Sequence, residues 1–560
     1  MVVSIINFFW ILSSSFLLGF FLLHIFSKIA EESFRDIDLI IAVGLVGLTV
    51  YAEIFSLVHR VGFLANLGVF IANIMILVGF SGEILELLAS FFRSKRHRGV
   101  LLGIVIIFLY FASMACKTPD FYDTGLYHGQ AIRWIEEYGV VKGLGNLHNR
   151  LAYNSAFLCL QALFSWKSVL GVSLHGVNAF LGALMTIYAL ANLLPIKKVN
   201  IITLFVDSLI LLYIILSLAD ISSPNTDFSA MLILLYVISK WMHETTKKAP
   251  RNIYGMLSII VIWGITVKLS TVAMILFVFY SFIRYLKKHK WKEILSDGLA
   301  LAVVAMPFLV RNVMISGFLL YPYTMIDVFN VDWKMPVYTV NFDNHEIVAW
   351  GRGLNDVDKY NWPFVDWFKE WFSGLGYWNA FLVTLNIGLV IIALIYLIFT
   401  IKKRSISSFG AWGVSIVCLL TWLFSAPLLR YGIVYLYLQP SIVLGILMAK
   451  FKEAKVIIWS KILILGMIFC GYMSYLWNLK EISIYYPTDY PHFLCYEAEL
   501  EGERIYLPTE GDRTGYHAFP ATPYSARLNV IEKRGENIED GFRVKDEYKD
   551  LNISTYGDIY

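Results

Sequence analysis

Apolar runs long enough to cross a bilayer recur along the whole chain, and stretches such as Ile5 to Ile25 and Phe381 to Thr400 lack the alternation of a transmembrane strand. Inside hydrocarbon every backbone N–H and C=O must find a partner within the protein, which leaves helices as the spanning elements. The composition agrees: 58% of residues are hydrophobic, 16% are charged and the mean hydropathy is +0.64, which excludes a soluble globule. The first run has no basic leader and no small-residue cleavage site, so it reads as an uncleaved span. Segmentation places spans near residues 4–26, 38–58, 63–82, 100–116, 170–194, 200–218, 227–242, 253–267, 270–286, 295–315, 377–400, 408–425, 432–449 and 456–475. The expected fold is an all-α polytopic membrane protein of about fourteen helices. Its transmembrane domain covers 1–475, and 476–560 form a small C-terminal α/β or β cap.

Charge tests that frame. Alternate connections hold Lys28 and Arg35; Arg93, Lys95, Arg96 and Arg98; Lys197 and Lys198; Lys247, Lys248 and Arg251; Arg284 to Lys292; Lys402, Lys403 and Arg404; and Lys450, Lys452 and Lys455. The short connections on the other side carry only Arg60, Lys268 and Arg430. The positive-inside rule then puts the basic loops in the cytoplasm and both termini outside. The weakest joint is Lys268–Leu269, where two short helices compete with one long bent helix, and the downstream charge bias favours the hairpin. Segments 117–169, 316–376 and 476–560 fall on the extracytoplasmic face, and function is expected there. The last of them is acidic, and its alternating Arg504-Ile-Tyr-Leu507 followed by Pro508, Gly511, Gly515, Pro520 and Pro523 reads as strand and turns, either a solvated tail or a lid. Cys116, Cys159, Cys418 and Cys470 lie in or beside apolar runs and Cys495 in the tail, so no disulfide framework is implied. Zinc-type cysteine spacing, a P-loop and a dinucleotide fingerprint are all absent, and nothing points to nucleic acid.

Ionisable groups crowd the start of the first long hydrophilic segment, Thr118-Pro-Asp-Phe-Tyr-Asp-Thr-Gly-Leu-Tyr-His128. Carboxylates and imidazoles at a membrane surface cost free energy unless paired or wet, so Asp120, Asp123 and His128 are candidate catalytic residues. The pattern Leu126, Ile132, Trp134, Ile135 and Tyr138 predicts an interfacial helix ended by Gly139, with Asp123 near its N-terminus as a base or merely as a cap. Farther on, Gly143-Leu-Gly-Asn-Leu-His-Asn-Arg150 leads to Asn154 and adds His148, Arg150 and Asn154 as candidate binding residues. Asp120, Asp123, His128 and His148 leave open one divalent cation, although their spacing is not that of a known metal site. At the other helix ends of this face stand Asp227, Lys268, Arg311, Arg430 and Tyr431. Each cation alone is equally well read as a snorkelling anchor, but as a set they suit a buried anion such as a lipid phosphate.

This arrangement resembles the GT-C superfamily, multipass glycosyltransferases that take sugars from polyprenyl-phosphate donors and carry acidic residues on an external loop. The resemblance implies that Asp120 and Asp123 are the acidic pair and that Lys268, Arg311 and Arg430 hold the donor phosphate. Gly143-Leu-Gly-Asn-Leu-His-Asn-Arg150 and Pro427-Leu-Leu-Arg-Tyr431 also resemble a bacterial group of multipass proteins of unassigned activity, which implies a bacterial plasma membrane. The implied reaction moves a sugar from the lipid-linked donor to a glycan, lipid or protein acceptor, with Asp123 as base. Two rivals remain open at this point. One is a polymerase or ligase of lipid-linked chains that uses His148, Arg150 and Arg352, and the other is a carrier of lipid-linked saccharides, which should line its path with charges deep in the spans.

Overall fold

The computed structural model describes residues 1–30, 34–93, 95–194, 200–247, 251–400, 407–449, 454–477 and 486–560. The basic residues Lys197, Lys198, Lys248, Lys402, Lys403, Arg404, Lys450 and Lys452 lie outside the described residues. Helices dominate, and among the described residues seven are long and apolar enough to cross a membrane: Val2–Ile29, Ile37–Val58, Phe63–Ser90, Leu269–Lys287, Trp291–Ser316, Tyr377–Ile395 and Leu429–Met448. The other apolar runs also hold helices, several of them shorter, including Val177–Leu193, Leu204–Leu216 and Tyr254–Val267.

Side-chain contacts fix the direction of these helices. Lys268 leaves the helical region (φ −156°, ψ 124°) between the helix Tyr254–Val267 and the 3-10 turn Leu269–Met274. Beyond that turn the chain doubles back: Arg284 stacks over the Tyr254 ring at 4.3 Å, and the Tyr285 hydroxyl accepts from the Gly255 N–H at 3.1 Å. The start of one helix thus touches the end of the next, so the hairpin expected at Lys268 is present. Elsewhere Asp207 near the start of Leu204–Leu216 meets Ser239 and His243 near the end of Thr226–Thr245. At the opposite end, Asn178 donates to the carbonyls of Ser223 and Asn225. The bundle therefore has a basic face and a loop-rich face, the latter carrying 117–169, 316–376 and 486–560. The first two helices cross closely: a Cβ on Gly44 would sit 1.7 Å from the Ser15 carbonyl oxygen, so the backbones touch through a small residue.

On the loop-rich face a second apolar core forms around Trp134, Leu147, Ile315, Ile505, Ile531 and Phe542, so the C-terminal segment and the first hydrophilic segment share one interior. The C-terminal segment holds two antiparallel hairpins, Cys495–Leu500 with Glu503–Pro508 and Ile531–Lys533 with Phe542–Val544. The first turns through Glu501 (φ 49°) and Gly502 (φ 84°), the left-handed pair of a two-residue hairpin loop. One expectation changes here. The helix predicted from Leu126 to Tyr138 exists as Gly129–Glu137, but it is not interfacial, because Ile132 and Trp134 are fully buried and Trp134 packs edge-on against Phe519 and Phe542. The aromatic side that suggested a headgroup position is covered by the C-terminal segment.

Candidate functional site

Just ahead of that helix the chain widens into one π-helical turn, Thr124–His128, a form that recurs at functional sites. The C-terminal segment clasps this turn. The Gly515 N–H donates to the Gly125 carbonyl at 2.8 Å, and Gln130 Nε2 donates to the carbonyls of Gly515 (2.7 Å) and Ala518 (2.6 Å). Arg133 Nη1 reaches the carbonyls of Tyr516 (2.9 Å) and His517 (2.7 Å), and Tyr122 Oη donates to Asp512 at 2.6 Å. Gly125 has no room for a side chain, since a Cβ there would lie 2.9 Å from the Phe493 ring.

Asp123 stands at the start of the turn but makes no side-chain cap hydrogen bond. Its buried carboxylate instead faces Arg430 across the bundle, with Nη2 3.1 Å from Oδ2. Arg430 begins the helix Leu429–Met448, lies 3.2 Å from the Tyr431 hydroxyl and stacks over Phe121 at 5.6 Å. Asp227 sits in the first turn of Thr226–Thr245; Asn225 caps that helix by accepting from the Asp227 N–H at 2.8 Å, so the Asp227 carboxylate is left to pair with Lys268. The Lys268 ammonium also lies 4.3 Å from the centre of the Tyr431 ring, which joins the two ion pairs into one cluster. Tyr127 borders it: burial first and then the Asp123 charge hold its phenol well above the ordinary range. His128 is 1% exposed, touches Tyr127 at 4.3 Å between rings, and has no hydrogen-bond partner on either ring nitrogen. Burial pushes its pKa down to about 3, against the raising effect of Asp123, so the imidazole is neutral at pH 7.

Other candidate residues lie elsewhere. Asp120 is exposed in the irregular stretch before the turn and has no side-chain partner among the described residues, so the expected pair of acids is not formed. The helix began too late to put both carboxylates on one side. Arg311 does not join Lys268 and Arg430; it is buried against Ser56 and donates to Asn154 Oδ1 at 3.0 Å, bracing two helices against the first hydrophilic segment. Arg150 forms a separate network with Asp343 (3.0 Å) and Glu346 (3.7 Å). Asp343 also accepts from Asn149 (2.8 Å), Tyr153 (2.6 Å) and Tyr321 (2.6 Å), and Glu346 from Thr555 (3.1 Å) and Tyr556. His148 is buried nearby against Tyr524, and burial followed by the charges of Arg150 and Arg527 drives its pKa well below the usual value. Arg352 donates to the Tyr360 carbonyl and lies over the Trp367 ring at 4.5 Å. Lys268, Arg311 and Arg430 each have a protein partner: Asp227, Asn154 and Asp123 respectively. Among the described residues no three His, Cys, Asp or Glu side chains gather as a metal-binding set, so Asp120, Asp123, His128 and His148 do not form one.

The sequence reasoning missed Tyr127, Tyr153, Tyr321, Asp343 and Glu346. Tyr127 lay in the motif already singled out, and Asp343 and Glu346 carried a usable signal, being three residues apart on the helix Val337–Gly351. Tyr127 and Tyr153 touch at 6.4 Å between rings, so the two polar networks are neighbours rather than one site.

No curated protein and no solved structure matches the chain. A family profile described as a domain of unknown function, DUF8201, matches residues 1–437, a stretch that includes every member of the Asp123 cluster. The chain therefore belongs to the DUF8201 family.

Proposed function

We propose that this protein is a GT-C-like membrane glycosyltransferase of about fourteen spans that works on the extracytoplasmic face of a bacterial plasma membrane. Its donor is a sugar on a polyprenyl phosphate and its acceptor a glycan, lipid or protein hydroxyl. The observation that carries this reading is the meeting of Asp123, Asp227, Lys268 and Arg430, from four remote stretches of chain, at the loop-rich end of an apolar bundle.

The chemistry follows from the pairing. Arg430 neutralises Asp123 and Lys268 neutralises Asp227. A donor phosphate competes for both cations and draws Arg430, whose side chain is 36% exposed, away from a carboxylate that is only 7% exposed. Freed of its counter-ion, the Asp123 carboxylate is open to the acceptor hydroxyl. The acceptor oxygen then bonds to the anomeric carbon, Asp123 takes the hydroxyl proton, and the bond from that carbon to the phosphate oxygen breaks with its electron pair leaving on the phosphate. Arg430 and Lys268 stabilise the charge that develops there. The neutral His128, buried beside Tyr127 with both ring nitrogens unpartnered, can donate and accept a hydrogen bond and is a positioning residue.

A ligase built on His148, Arg150 and Arg352 draws less support, because Arg150 is held by two buried carboxylates and Arg352 by a carbonyl and an indole. Of the carboxylates inside spans that a carrier would use, Asp207 is bound to Ser239 and His243 in the first turn of its helix, and Glu53 is 1% exposed. The test is transfer by the purified protein from defined polyprenyl-phosphate sugars, with Asp123→Asn as control. No transfer from any such donor, or transfer that survives Asp123→Asn, rejects the reading.

A further inference from the structure

With its rim at the end of the bundle opposite the Asp123 cluster, a cavity of about 840 Å³ opens at the basic face between the first two helices, Val177–Leu193 and the pair Thr226–Thr245 and Tyr254–Val267. Its volume is that of a small-molecule site. Along the helix Thr226–Thr245 and just past it, the lining runs from Lys247 to Leu232, a depth of about 22 Å at 1.5 Å per residue. The shaft is aliphatic, with Ile41, Leu45 and Leu184 among its walls, whereas the rim is charged.

At the rim Lys240 bonds Asp38 at 2.6 Å, and Arg251 bonds Asp36 at 2.6 Å. Among the described residues the rim cations Arg35, Lys240, Lys247 and Arg251 outnumber the carboxylates Asp36, Asp38 and Glu244. Arg35 is exposed and has no carboxylate partner among the described residues. Deeper, Trp263 is 2% exposed, lines the shaft, and carries an indole N–H with no hydrogen-bond partner.

We propose that this cavity binds a single lipid with an anionic phosphate headgroup at the Arg35–Lys240 rim and its hydrocarbon chain in the shaft. The head is chosen by the surplus of cations and the tail by the aliphatic wall. This site is distinct from the transfer site and does not rest on it. Both glycerophospholipids and polyprenyl phosphates have the required chemistry.

The experiment is native mass spectrometry of the full-length protein in detergent, together with thermal unfolding on adding phosphatidic acid, polyprenyl phosphate or uncharged diacylglycerol. Wild type is expected to retain about one phosphate lipid per chain and to unfold at higher temperature with phosphatidic acid or polyprenyl phosphate but not with diacylglycerol. Whichever phosphate lipid gives the larger shift identifies the source. Leu184→Trp, which plugs the shaft, is expected to abolish retention. Arg35→Gln, a surface change with no part in the packing, is expected to weaken phosphate-lipid binding about tenfold. An equal response to diacylglycerol, equal retention by the plugged protein, or unchanged affinity in Arg35→Gln would mean annular lipid only and would overturn the proposal.

Discussion

Two clusters of acids and cations share the loop-rich face, with Tyr127 beside one and Tyr153 of the other in ring contact at 6.4 Å, and they are finished in opposite ways. Around Asp343 the carboxylate takes bonds from an arginine, an asparagine and two tyrosines, and its side chain is 0% exposed. Around Asp123 the cation is partly open, Arg430 Nε and both His128 nitrogens lack partners, and nothing but Arg430 bonds the carboxylate among the described residues. A closed network fixes the fold and resists a newcomer, because any ligand must displace bonds already made. An unfinished one gains bonds when an anion arrives.

The largest way to break this contrast is Asp123→Asn. If Asp123 is the base, transfer falls by about 10²–10⁴-fold while the unfolding temperature in detergent stays close to wild type. A variant that loses stability instead would place Asp123 with the structural network. Arg150→Met probes the other side: it leaves Asp343 and Glu346 buried without their cation, a loss of about 3–5 kcal/mol that unfolding in mixed micelles should detect. A stable Arg150→Met protein with weakened donor binding would reverse the assignment of the two clusters. Lys268→Met should raise the donor KM by about ten- to a hundredfold, the worth of one charge-assisted bond to phosphate, with a smaller change in kcat. The smallest expected effect concerns pH. The folded pKa of His128, about 3, lies below its ordinary value, so between those two values only the unfolded chain binds the proton and stability falls as the solution is acidified. The loss reaches about 1 kcal/mol by pH 5.5, and His128→Gln should flatten that slope. An unchanged slope in the variant would show that His128 is reached by solvent.

Much of this was legible because helix ends sort charge by face. Asp123 and Arg430 are 307 positions apart, yet each lies where an apolar run stops on the same side, so their common depth could be read from hydropathy. Which lateral neighbours meet was not legible. Depth is set by composition, but the azimuth of each helix is set by packing, and that is why Arg311 faces Ser56 and Asn154 rather than the other cations. Asp120 misled for a local reason: a spacing of three means one face only inside a helix, and residues 118–121 are irregular. The C-terminal segment announced its strand and turns through alternation and glycine, but its partner did not show. The bonds that hold it to Gly125, Gln130 and Arg133 run mainly through its backbone carbonyls, which leave no signature in side-chain chemistry.

That clasp has a consequence for how the molecule is made. The ribosome delivers Asp123 and its turn hundreds of residues before Asp512 to Ala518 emerge to hold them, so until then Gln130 and Arg133 have no carbonyls to bind. Bundle assembly comes first and this clasp last: in a nascent protein already settled among its lipids, the turn that carries Asp123 waits for the late arrival of one short strap.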